Sequence, residues 1–97
     1  MPKAYWIATY RSVSDPAALA RYAELGGKAI AAGGGRILAR GAPGRSFEGT
    51  PEARVVVIEF DSVAAAVAVY EGAAYRSALA LLEGKVEREV RIVEAPE

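Results

Sequence analysis

Two hydrophobic periods alternate along the chain. Tyr5-Trp6-Ile7-Ala8-Thr9-Tyr10, bounded by Pro2 and by Arg11-Ser12, is rich in aromatic and β-branched residues and predicts a first strand. Both of its faces are largely apolar, as expected of a central strand covered on both sides. From Asp15-Pro16 the period lengthens, and Leu19, Tyr22, Ala23, Gly26 and Ile30 recur every three or four positions. That spacing predicts a helix to about Ala32, with Asp15 as its cap and Pro16 at the first helical position, where a missing N–H is harmless. Gly33-Gly34-Gly35 ends it. Arg36 to Arg40 reads as a second strand and Arg54-Val55-Val56-Val57-Ile58-Glu59-Phe60 as a third, the clearest in the chain. Between them Gly41-Ala42-Pro43-Gly44 and Gly49-Thr50-Pro51-Glu52 read as turns, with Ser46-Phe47-Glu48 expected to pair briefly in extended form.

Asp61-Ser62 caps a second helix with Val63, Ala66, Val67 and Tyr70 on its predicted buried face. Gly72 interrupts that helix, which resumes over Ala73 to Leu82 with Tyr75, Ala78, Leu79 and Leu82 on one side, and Gly84 closes it. Arg88 to Val93 is the last strand, charged often enough to predict an edge.

The order βαββαβ, with right-handed crossovers, predicts one α+β domain over residues 1–97. Its fold is ferredoxin-like, a four-stranded antiparallel sheet with the helices on one face. The other face is then uncovered. Yet the third strand presents Val55 and Val57 on one side and Val56, Ile58 and Phe60 on the other, too apolar for a sheet half in water. The economical cover is a second copy packed sheet to sheet, which predicts a homodimer.

Composition narrows the chemistry more than the fold. Twelve basic residues balance twelve acidic ones, so no global field draws nucleic acid or an anionic membrane, and neither is expected as a partner. No apolar run approaches the roughly 20 residues of a membrane helix, and the start Met1-Pro2-Lys3 is unlike a signal peptide, so a cytoplasmic location is expected. His, Cys, Asn and Gln are absent. With them go the commonest metal ligands, the thiol nucleophile and the usual base near neutral pH, leaving Asp, Glu, Arg, Lys, Tyr, Ser and Thr. The glycine runs match neither phosphate-loop spacing, so no nucleotide cofactor is expected, and no metal.

Candidate site residues follow from strand phase. Arg36 and Arg40 are expected on one face of the second strand, and Glu59 on the intersheet face of the third. Arg40 is then the candidate partner of Glu59, either as an ion pair orienting the sheets or as a bidentate carboxylate site with Glu59 as base or orienter. Tyr5, Trp6 and Tyr10 are either packing residues or the lining of a cavity, to which Arg36 would add a ligand contact. Tyr75, just after the Gly72 break, is a candidate for a cavity mouth, and Arg54 and Glu48 are placed to pair near the long loop.

Lys3-Ala4-Tyr5-Trp6-Ile7, Gly34-Gly35-Arg36-Ile37-Leu38-Ala39-Arg40-Gly41, Phe47-Glu48-Gly49, Arg54 through Ser62 and the spaced Tyr70 and Tyr75 resemble the small bacterial proteins grouped as domain of unknown function 1330. The resemblance spans nearly the whole chain. It implies the dimeric α/β-barrel superfamily, in which two ferredoxin-like sheets pack face to face and often enclose a cavity. That superfamily includes cofactor-independent monooxygenases, isomerases, haem enzymes and ligand-sensing domains, while this family has no settled activity. A departure stands at Ala74, where the family carries a polar or acidic residue. The expected functions are a small aromatic or carboxylic ligand bound in a dimeric barrel, where the resemblance points to cofactor-free oxygenation or isomerisation, or else a non-catalytic ligand-binding or stress-related module, or a dimer that is purely structural.

Overall fold

The computed structural model describes residues 2–49 and 53–96. Its strands are β1 (Ala4–Val13), β2 (Arg36–Gly41), β3 (Arg54–Phe60) and β4 (Val86–Glu94). Its helices are α1 (Pro16–Ala32), α2 (Val63–Glu71) and α3 (Ala73–Leu79), the last running into a 3-10 turn over Ala80–Leu82. The strands form one antiparallel sheet in the order β2-β3-β1-β4, so β4 is an edge, as its charges predict. This is the ferredoxin-like α+β fold.

Local chemistry sets the helix boundaries. Asp15 accepts a hydrogen bond from the Ala18 amide at 3.1 Å, and Ser62 accepts one from the Ala65 amide at 3.0 Å, each satisfying an orphan donor of a first turn. Gly72 lies in an extended conformation (φ −75°, ψ 154°) that no helix can contain, and this separates α2 from α3. Of the three glycines after α1, Gly34 has the left-handed φ of 91°. No strand forms over Ser46-Phe47-Glu48, contrary to expectation, and Phe47 stands exposed beside Arg45, 5.3 Å from its ring centroid. The expected turn at Gly49–Glu52 falls mostly outside the described residues.

The core lies between the helices and one sheet face. Ala4, Trp6, Ala8 and Tyr10 of β1 and Val56, Ile58 and Phe60 of β3 are buried there against Tyr22 and Ile30 of α1, Ala66 of α2 and Tyr75 and Ala78 of α3. Tyr5, Ile7 and Thr9 alternate to the open face, opposite Glu59, Val57 and Val55, and are only partly exposed. Within this chain β1 is thus covered on one side, not both.

The glycines of α1 and its exit test this packing directly. A Cβ on Gly35 would stand 2.5 Å from Ile30 Cγ2 and 2.8 Å from Phe60 Cζ, whereas one on Gly27, in mid-helix, meets nothing within 4 Å. Urea unfolding should therefore separate the two alanine variants. Gly27→Ala is expected to gain about 0.5–1 kcal/mol from helix propensity, and Gly35→Ala to lose about 1–3 kcal/mol through overpacking.

Candidate functional site

The second strand holds a β-bulge that redistributes the candidate residues. Arg36 is opposite Glu59 and Ile37 opposite Ile58, but the register then slips so that Ala39 faces Val57 and Arg40 faces Val56. Leu38 is the extra residue. The slip reverses the alternation, so Arg36 lies on the open face with Glu59 whereas Arg40 lies on the helix side with Val56. The two arginines do not share a face, and Arg40 is not the partner of Glu59. That partner is Arg36, whose Nε donates to Glu59 Oε1 at 2.9 Å and whose Nη2 donates to Asp61 at 3.1 Å. Lys3 joins the group 3.7 Å from Asp61. Hydrogen bonds from Arg36 hold the Asp61 carboxyl below its ordinary range, and the Arg36 guanidinium is raised by the same contacts. Arg36 and Asp61 are substantially exposed, so such pairs contribute only about 0–1 kcal/mol each. No ion pair joins Arg54 and Glu48 among the described residues.

The remaining candidates divide in the same way. Tyr5 shares the open face with Arg36 and Glu59, while Trp6, Tyr75 and Arg40 are on the helix side. Tyr75 is wholly buried and forms no cavity mouth. Its ring meets Trp6 edge-on at 5.0 Å and Tyr22 at 5.9 Å, within an aromatic cluster that also takes in Tyr70 and Phe60.

A residue missed by sequence reasoning organises this side. Arg88 reaches inward from β4 and lies over the rings of Tyr10 and Tyr22, 5.4 and 5.2 Å from their centroids. Its Nη1 donates to Tyr10 Oη at 3.1 Å and to Tyr22 Oη at 3.3 Å, and its Nη2 donates to Tyr75 Oη at 2.9 Å. Tyr22 and Tyr75 share one further hydrogen bond of 2.5 Å between their hydroxyls. Gly26 permits this arrangement, because a Cβ there would press on the Tyr22 ring at 3.2 Å. The available signal was that Arg88 stands two and four residues before Val90 and Ile92, in phase with the buried face of a strand.

The cluster is rich in donors and poor in acceptors. A guanidinium carries five N–H groups, and those of Arg88 beyond the three bonded to phenols find no acceptor among the described residues. Each phenol accepts from Arg88, and the Tyr22–Tyr75 bond uses only one of the three hydroxyl hydrogens. No carboxylate pairs with Arg88 among the described residues. Burial pushes the Tyr22, Tyr10 and Tyr75 hydroxyls above the usual phenol value, outweighing the pull of Arg88. Burial also works against the charge of Arg88, but attraction to Tyr22, Tyr75 and Tyr10 outweighs it and holds the guanidinium above its ordinary value. The phenols thus solvate the cation without neutralising it.

Three spaces meet at Arg88. A narrow cleft of about 40 Å³ under α1 is lined by Trp6, Tyr10, Tyr22 and Gly27, with Arg40 and Arg54. On the other side, an open groove of about 410 Å³ is walled by Val67, Tyr70, Glu71, Leu79, Val90 and Ile92, and a second of about 520 Å³ by Tyr70, Arg76, Leu79, Leu82, Glu83 and Val86. Among the described residues no acidic cluster could hold a metal ion, and no helix is long and apolar enough to cross a membrane.

The model of one family, Domain of unknown function (DUF1330), matches residues 3–96. The chain belongs to that family. Its fold is similar to that of a protein of unknown function from Rhodopseudomonas palustris, at 19% identity over 99% of this chain and 84% of that one, with a TM-score of 0.79. A dimeric ferredoxin-like protein of unknown function from Thermobifida fusca is similar at 20% identity, 97% and 92% coverage and a TM-score of 0.68. SnoaB, a cofactor-independent oxygenase from Streptomyces nogalater, is similar at 10% identity, 100% and 96% coverage and a TM-score of 0.71. These likenesses show the fold. No curated protein matches the sequence.

Stability at alkaline pH should report the phenol cluster. Because the folded-state values of Tyr10, Tyr22 and Tyr75 are raised, the unfolded chain releases these protons first, near pH 10. The folded state then holds more protons, so stability falls as pH rises past 10. Ultraviolet titration should show part of the tyrosine absorbance change coinciding with unfolding. Replacement of the three residues by Phe should remove that coincidence.

Proposed function

We propose that this chain forms a homodimer through its open sheet face and binds a small organic carboxylate at Arg88 in each protomer. The donor surplus around Arg88 carries the binding reading. A half-buried guanidinium bonded only to neutral phenols retains its full charge, and free N–H and O–H donors beside it suit a carboxylate. The groove between α2, α3 and β4 supports an apolar or aromatic body for the ligand, since about 410 Å³ lies within the size range of small-molecule sites. Trp6 packs edge-on against Tyr75, one of the three phenols that hold Arg88. The likeness to dimeric ferredoxin-like proteins and the partly exposed Tyr5, Ile7, Val55 and Val57 support the dimer.

The phenol cluster itself supplies no base for turnover. Cofactor-free oxygenation or isomerisation needs a proton acceptor beside the substrate. The phenols are held neutral, and Glu59 lies on the opposite sheet face, bonded to Arg36. Neither serves as the base at Arg88, and the carboxylate that lines the same groove is that of Glu71.

Thermal melting with benzoate and longer aryl carboxylates tests the ligand. At 100 times Kd a ligand specific for the folded state adds about 2.7 kcal/mol, a rise of roughly 10 °C or more in Tm for a domain of this size. Arg88→Met should abolish the rise, and Leu79→Ala should weaken the aryl acids more than acetate. An undiminished response in Arg88→Met would refute the site. Sedimentation velocity should give about twice the 10.2 kDa chain mass, and Val57→Asp should yield a monomer. A parent protein that remains monomeric at micromolar concentration contradicts the dimer.

A further inference from the structure

The side of Arg88 facing α1 carries more positive charge than one carboxylate requires. Arg54 is opposite Tyr10 on β3 and Tyr10 is opposite Arg88 on β4, so these three residues form one transverse row on the helix-facing side of the sheet. Arg40 is opposite Val56, which makes it the diagonal neighbour of Arg54. Diagonal neighbours lie about 7–8 Å apart, close enough for long side chains to meet. All three arginines line the cleft under α1, and no Asp or Glu does. The electrostatic pull of Arg54 on the Tyr10 hydroxyl agrees with that placement.

Three like charges around one concavity repel one another, although the chain as a whole carries equal numbers of basic and acidic residues. The cleft is also small, about 40 Å³, which suits a compact group and not an organic body. Gly27 forms part of its wall. Neither a left-handed φ nor a close neighbour calls for glycine there, since a Cβ would meet nothing within 4 Å. A glycine retained in mid-helix at a cost of about 1 kcal/mol keeps that wall low.

We propose that the cleft under α1 is a second anion site, taking a tetrahedral oxyanion of roughly double negative charge, as free phosphate or as the terminal group of a phosphomonoester. Arg40 and Arg54 are its outer ligands and Arg88 its inner one. Shape and charge select this class, because a planar monoanion would leave much of the positive charge unanswered. The inference depends on the preceding reading only in sharing Arg88.

Melting curves at constant ionic strength, with inorganic phosphate or phenyl phosphate replacing chloride, test it. Phosphate is expected to raise Tm in the parent. Arg40→Ala and Arg54→Ala should each weaken the apparent affinity about tenfold, and the double variant should abolish the response while still responding to benzoate. Gly27→Glu, which places a carboxylate at the cleft wall, should suppress the phosphate response without lowering the ligand-free Tm. A response to phenyl phosphate alone assigns the site to esters, and a response to both assigns it to the shared group. No response to either, or an unchanged response in the double variant, overturns the proposal. Loss of the benzoate response with the phosphate response intact would instead refute the carboxylate reading alone.

Discussion

A guanidinium placed between a sheet and its helices must be solvated by the protein, and the manner of its solvation shapes this molecule. Arg88 comes from β4, Tyr10 from β1, Tyr22 from α1 and Tyr75 from α3, so their hydrogen bonds join both layers. Neutral oxygens and two aromatic faces offset the loss of water without cancelling the charge. Replacing a phenol by a carboxylate would make a conventional buried ion pair and cancel the charge of Arg88.

The two sheet faces handle charge in opposite ways. On the open face, Arg36 is answered by Glu59 and Asp61, and Glu89 pairs with Arg11 and Arg91. These pairs leave little net field, which suits a surface whose other residues are Tyr5, Ile7, Val55 and Val57. On the helix face, Arg40, Arg54 and Arg88 gather around one cleft with no lining carboxylate. A chain with balanced charge has therefore separated its compensated pairs from its uncompensated cations.

Much of the fold was legible because it follows from short-range rules. The caps Asp15 and Ser62, the break at Gly72, the buried face through Tyr22, Gly26 and Ile30, and the apolar alternation of β3 all appear in the structure as the sequence predicts. The candidate site was legible only in its residue types. Arginine against carboxylate on neighbouring strands was the right chemistry, but the bulge at Leu38 assigned Arg36 to Glu59 and turned Arg40 to the other face. A single inserted residue inverts every later side chain of a strand, and Ile37-Leu38-Ala39 carries no turn residue to announce it.

The sequence by itself determined the element order, the ferredoxin-like class, the edge position of β4 and the absence of histidine or thiol chemistry, because period, caps and composition act within a few residues of one another. Tertiary structure alone decided which arginine met Glu59, and it brought Tyr10, Tyr22 and Tyr75 onto Arg88 across as many as 78 positions of chain. The reason is geometric. Register and layer packing place side chains by the summed fit of distant elements, and no local pattern encodes that sum.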